Sequence, residues 1–144
     1  MGKYSGSVAT PAAAAGAAYM TIGAAASTRT RILEIGIFVN AATASSVGLF
    51  RPTNTPVATT TVVTVPDDPA DAAGVTLLGT AWSTAPTVGT VALRRAVMPA
   101  AIGAGIIWQF ENLICGPLGT GALVLWNYSG ATASVLQVYI VSDD

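Results

Sequence analysis

The chain reads as an all-β protein, an antiparallel sandwich or barrel, on three observations. Short runs rich in Val, Ile, Thr and aromatic residues alternate apolar and polar positions. Clusters of Gly, Pro, Asn, Asp and Ser separate these runs at near-regular spacing. No stretch between them carries the three-to-four-residue apolar period of an amphipathic helix.

Taken in order, residues 1–30 are mostly Ala, Gly, Ser and Thr, with Tyr4, Val8, Tyr19, Met20 and Ile22 as the larger side chains. So small-sided a stretch does not close a core alone, yet it lacks the charge of solvated disorder. Residues 1–18 are therefore expected to form an extended arm on a partner, with Tyr4, Val8, Tyr19 and Met20 as interface residues and the sandwich spanning 19–144. A first strand of the same sheet is the competing reading, above all over 18–27. Residues 31–40 (RILEIGIFVN) alternate, with Leu33, Ile35, Ile37 and Val39 on one face and Ile32 and Phe38 opposite. Further strands are expected over 47–51, 57–65, 75–82, 88–97, 105–111 and 122–128. The last, 133–142 (ASVLQVYIVS), sets Leu136, Val138 and Ile140 against Val135, Gln137, Tyr139 and Val141. Any helix is confined to a turn or two around 69–73 or 99–102.

Composition narrows the function. The 144 residues include six Lys or Arg, seven Asp or Glu and no His, where an average soluble chain of this length carries about 36 charged residues. With 52% hydrophobic residues and a mean hydropathy of +0.61, such a surface invites association with copies of itself or a larger assembly. The usual general bases and metal ligands are scarce, so neither an enzyme nor a cofactor is expected. Six dispersed cations make no nucleic-acid patch, and no apolar run approaches the about 20 residues of a membrane span. The alanine-rich 12–26 segment is too weakly hydrophobic for a signal peptide, and Cys115, being single, reads as a buried thiol.

Gly103-Ala104-Gly105 and Gly119-Thr120-Gly121 lack the Lys and the βαβ setting of a phosphate loop and read as turns. Asp67, Asp68 and Asp71 are dense enough to hold Ca²⁺, but the spacing fits no EF-hand and Pro66 and Pro69 suit an exposed turn. Arg94 and Arg95 should point to opposite faces, one toward solvent or an interface and the other to an acid such as Glu34 or Glu111. Arg29 and Arg31 share a face and suit a surface salt bridge. Trp82, Trp108, Trp126 and Tyr139 fill either the core or an oligomer interface; the alternative is a carbohydrate-binding module, with Trp108-Gln109 and Trp126-Asn127 stacking on and bonding to sugars.

The C-terminal third carries a resemblance. Gly105-Ile106-Ile107-Trp108-Gln109-Phe110, Asn112-Leu113, the Gly119–Gly121 turn, the run Leu123-Val124-Leu125-Trp126-Asn127 and a last strand ending in Asp143-Asp144 resemble the small jelly-roll proteins among tailed-bacteriophage structural genes. The resemblance implies a tumour-necrosis-factor-like β-sandwich that forms a homotrimer. It implies a capsid decoration (cement) protein on the virion surface, made in the host cytoplasm and bound to the major capsid protein. A tail, baseplate or head-fibre component is the alternative from the same setting.

Overall fold

The alternation in residues 133–142 becomes β11 (Leu136–Asp143), whose two rows face opposite ways: Leu136, Val138 and Ile140 are buried in the core, and Gln137, Tyr139 and Val141 face outward. In this computed structural model residues 2–119 and 121–144 are described; Met1, counted in the predicted arm, and Thr120, in the predicted 119–121 turn, lie outside the described residues. The other strands are β1 (Lys3–Ala9), β2 (Ala17–Ala24), β3 (Thr30–Val39), β4 (Ser45–Phe50), β5 (Val57–Val63), β6 (Val65–Pro66), β7 (Thr76–Thr84), β8 (Arg94–Met98), β9 (Gly105–Cys115) and β10 (Leu123–Asn127). No helix occurs among the described residues.

Two antiparallel sheets pack face to face. Sheet A runs β6-β1-β11-β3-β9 and sheet B runs β5-β7-β2-β10-β4-β8. Between them lies one apolar cluster that includes Ile22, Ile35, Ile37, Leu49, Leu78, Leu123, Leu125, Leu136 and Ile140. Two bulges set which side chains enter it. Opposite β10 the register steps between Leu125 and Trp126, from Met20 to Ala18, so Tyr19 is the extra residue. Adjacent Tyr19 and Met20 therefore both face the core, which strict alternation forbids. Tyr19 is satisfied there because its hydroxyl donates to the Ser46 carbonyl at 3.0 Å. In β3, Leu33 is passed over by both neighbouring strands. The core row is accordingly Ile32, Ile35, Ile37 and Val39: three of the expected four residues stand, and the bulge replaces Leu33 with Ile32.

The arm predicted for residues 1–18 is instead part of the sandwich. β1 pairs with β11 over seven residues and with β6 on its other side. Tyr4 is buried and donates to the Ala72 carbonyl at 3.1 Å. Residues 10–16 are strapped to the same chain: the Thr10 amide donates to Leu136, the Gly16 amide to Asn127, and the Asn127 amide group to the Ala13 and Ala14 carbonyls. Pairing satisfies the backbone where side chains offer little, which is how so small-sided a segment is ordered. Of the expected 88–97 strand only 94–98 forms, since Val88 bridges to Pro52 and Val91 is 83% exposed. The expected 57–65 strand breaks at Thr64, where the chain passes from sheet B to sheet A.

A polar clasp joins the sheets at one end. The Asp144 carboxylate accepts from the hydroxyls of Thr30 (2.6 Å), Thr76 (2.5 Å) and Ser142 (2.8 Å) and from the Val75 amide (2.7 Å). Thr30 and Ser142 belong to sheet A and Thr76 to sheet B. Burial pushes the Asp144 carboxyl up, but these hydrogen bonds together outweigh it and hold the group below its ordinary value of 3.8.

Two predictions follow from this architecture. Deleting residues 2–9 should abolish cooperative unfolding followed by circular dichroism, because it strips β11 of one partner; a truncated chain that still melts cooperatively would restore the arm. For Asp144, a carboxyl held low in the folded state stabilises the fold above pH 3.8, and that contribution disappears as pH falls through the lower folded value. Asp144→Asn should therefore lower Tm at neutral pH, with the gap from wild type closing in strong acid. A gap independent of pH would show that the charge contributes nothing.

Candidate functional site

The outer faces of the two sheets differ. On sheet B, Val124 and Phe50 alternate with core residues and so point outward, yet they are 0% and 2% exposed, covered by the chain itself. Arg95 lies over the Phe50 and Tyr128 rings at 5.9 and 4.9 Å. The Trp82 indole N–H donates to the Thr21 hydroxyl at 3.2 Å on that same side. Sheet A is covered by no such layer. Across it run Ser5 and Ser7 of β1, Gln137, Tyr139 and Val141 of β11, Glu34 and Phe38 of β3, and Ile107 and Gln109 of β9, all partly or fully exposed.

Glycines shape this open face. Gly36 sits between core residues Ile35 and Ile37, and a Cβ built on it would come within 1.9 Å of a Tyr139 ring carbon. A Cβ on Gly105 would meet the Phe38 ring in the same way. Each aromatic thus lies down over a glycine of the neighbouring strand. The two rings end side by side, with centroids 6.3 Å apart and planes 22° from parallel. Next to them the Glu34 carboxylate accepts from the Tyr139 hydroxyl (2.7 Å) on one oxygen and from the Gln109 amide (3.1 Å) on the other. Those two bonds hold Glu34 below its ordinary value against the opposing effect of burial, and the bond to Glu34 raises the Tyr139 phenol.

Shallow grooves border the platform. One of about 520 Å³ is lined by Ser5, Ser7, Val63, Val65, Tyr139 and Val141. Another of about 620 Å³ lies over Lys3, Leu33, Glu34, Gln109, Glu111 and Val141. A smaller one of about 150 Å³ adjoins Ser7, Phe38, Gln137 and Tyr139. Shared residues make the three one continuous surface.

The structure scatters the remaining candidates. Of the proposed partner residues, Tyr4, Tyr19 and Met20 are buried in their own chain, and Val8 is half-buried with its side chain packed against the core. Trp108 is a core residue. Trp82 and Trp126 are half-buried on sheet B, away from Tyr139. Gln109 and Trp108 project to opposite faces, and Asn127 is fully buried on loop carbonyls, which separates each ring from its intended polar neighbour. Arg94 and Arg95 meet no acid: Arg94 lies 5.2 Å over Phe110 and Arg95 over Phe50 and Tyr128, a correction that follows from aromatics flanking this edge strand. Arg31 does form a salt bridge, to Asp143 across the β3–β11 pair. Asp67 accepts from Ser5 and Asp68 closes its own turn on the Ala70 amide. Among the described residues no three acidic, thiol or imidazole side chains converge on one point. Cys115 is buried, which pushes its thiol up to about 12.

Phe38, Gly36 and Gly105 are the site residues that sequence reasoning missed. Their signal is a glycine in an alternating strand beside an aromatic on the next, and it becomes visible only once the register is known.

Gly36→Ala should drive Tyr139 off the sheet, break its bond to Glu34 and cost about 1–3 kcal/mol in chemical denaturation. The raised tyrosine titration should then return toward 10.0. Unchanged stability and titration would show that the ring does not depend on the glycine. No protein family, curated protein or solved structure matches the chain.

Proposed function

We propose that the chain is a structural virion protein, a capsid decoration protein that assembles as a homotrimer and docks on the major capsid protein of its particle. One observation carries this reading: the chain leaves large apolar side chains exposed on the strands of both sheets, Val65, Ile107 and Ile114 on sheet A and Val57, Val62, Val63 and Val97 on sheet B. Exposed apolar faces of this kind mark association surfaces. Strand order supports the jelly-roll part. Within the two sheets, β1-β11-β3-β9 lies opposite β2-β10-β4-β8, the order of two interleaved Greek keys, with β6 and the β5–β7 pair added at the β1 and β2 edges. The Leu123–Asn127 run that carries the resemblance is β10, and the acids that end the chain are the salt-bridge partner Asp143 and the clasp Asp144.

Catalysis finds little support. The chain has no His, its single thiol is buried, and the Glu34 carboxylate is tied to two donors. A decoration protein needs none of these groups. It acts by covering area, at about 25 cal/mol per Å² of apolar surface, multiplied over several docking points.

The test is mass and place. Sedimentation equilibrium should give three times 14.4 kDa, and particles made without the protein should open at lower temperature and regain stability on its addition. A stable monomer at micromolar concentration, or particles indifferent to the protein, would overturn the proposal. Density for the protein on the tail or baseplate alone would assign it there instead.

A further inference from the structure

We propose that the Phe38–Tyr139 platform on the outer face of sheet A is a binding site for a neutral oligosaccharide. The stacking role that the sequence offered to Trp108 and Trp126, which the fold separates from their polar neighbours, is filled by a different pair of rings. The site is built from one chain and does not depend on the virion reading above.

Ring geometry is the first argument. Tyr139 lies over Gly36 and Phe38 over Gly105, so each ring has one face against the backbone and the other turned outward. With centroids 6.3 Å apart and planes 22° from parallel, the outward faces make one nearly flat apolar surface. A pyranose has the matching shape, a flat face of C–H groups with hydroxyls around its edge. Stacking supplies the apolar contact, and polar groups beside the rings then meet the hydroxyls.

Those polar groups are the second argument. Side-chain hydrogen bonds on this face run from Ser5 to Asp67 and from Tyr139 and Gln109 to Glu34. Among the described residues none engages Ser7 or Gln137. Both are exposed, and both line the cavity of about 150 Å³ against the rings. In the strand register Ser7 stands opposite Tyr139 and Gln137 opposite Phe38. A hydroxyl and a primary amide each donate and accept, as sugar hydroxyls do. At the Tyr139 hydroxyl, Glu34 and Gln109 hold each other in place yet keep capacity. Each Glu34 oxygen has accepted one bond, and Gln109 has given one of its two amide protons. A dry apolar partner would strip water from these groups and replace none of its bonds, which disfavours it.

Charge narrows the ligand. Glu34, Glu111 and Asp67 border the face against Lys3, while Arg31 and Asp143 neutralise each other. An excess of carboxylates repels uronates, sialylated glycans and nucleic acid, and leaves an uncharged sugar. From Gln137 to Val141 the grooves follow β11 for about 13 Å, at about 3.3 Å per residue. That run is longer than one sugar ring, so the ligand is an oligosaccharide.

The test titrates cellohexaose, laminarihexaose, mannohexaose and chitohexaose calorimetrically into the intact chain, with hexagalacturonate as the charged comparison. At least one neutral probe should bind saturably by millimolar concentration, and hexagalacturonate should not bind. Phe38→Ala and Gln137→Ala should each weaken that binding about tenfold, the loss of a stacked ring or of a hydrogen bond. Trp126→Phe, on sheet B, should leave it unchanged. If Phe38→Ala does not fold, Ser7→Ala combined with Gln137→Ala takes its place, since both side chains are exposed. The proposal is overturned by no saturable binding of any neutral probe, by preference for hexagalacturonate, or by neutral binding indifferent to Phe38 and Gln137. Loss of binding in Trp126→Phe would move the site to sheet B and overturn it equally.

Discussion

The fold depends on the pairing of β1 with β11, strands drawn from residues 3–9 and 136–143. Until those distant segments meet, β11 has only β3 beside it and β6 has no strand to pair with. Once they meet, the two-residue period of β11 divides its side chains between duties. Leu136, Val138 and Ile140 enter the core, while Gln137, Tyr139 and Val141 form the middle of the open face. One strand thus links stability and surface chemistry, and a register slip of a single residue would exchange the two rows. Contacts between the chain's extremes also make the fold topologically costly, since loop closure precedes any gain from burial.

Glycine and aromatic placement on sheet A follow from the same register. Tyr139 stands opposite Gly36, and Phe38 opposite both Gln137 and Gly105. A glycine in a strand interior weakens it by lost side-chain packing, and a ring lying over it restores that contact. The arrangement flattens the surface, because rings that cover glycines do not stand up from the sheet. It also brings the Tyr139 hydroxyl to Glu34, so the single carboxylate beside the rings is bonded before any partner arrives.

Much of the architecture was legible in the sequence, for identifiable reasons. The 133–142 alternation gave the correct faces of β11 because no bulge interrupts Leu136 to Val141. In β3 the faces of Ile35, Ile37, Phe38 and Val39 were legible, but those of Ile32 and Leu33 were not, since nothing in RILEIGIFV marks Leu33 as the residue both neighbours pass over. The first strands were hidden by composition: Lys3–Ala9 and Ala17–Ala24 contain few β-branched residues, and backbone pairing rather than side-chain propensity holds them. Tyr4, Tyr19 and Met20 stand out in the sequence as anchors, but no local pattern tells that the space they fill is in their own chain. The Phe38–Tyr139 platform lay beyond reach because it joins residues 101 positions apart through a register that no local pattern records.

The scarcity of charge acquires a physical meaning in the structure. Asp144 is spent on fastening the two sheets, Asp143 on Arg31, and Asp67 on Ser5 at the β1 edge. Arg94 and Arg95 rest on aromatic rings, and Arg51 donates to the Ile114 and Gly121 carbonyls. Most ionic groups are therefore fastenings within the chain, and few remain to keep sheet A hydrated. A monomer built this way leaves Val65 63% and Ile107 51% exposed beside a flat aromatic surface.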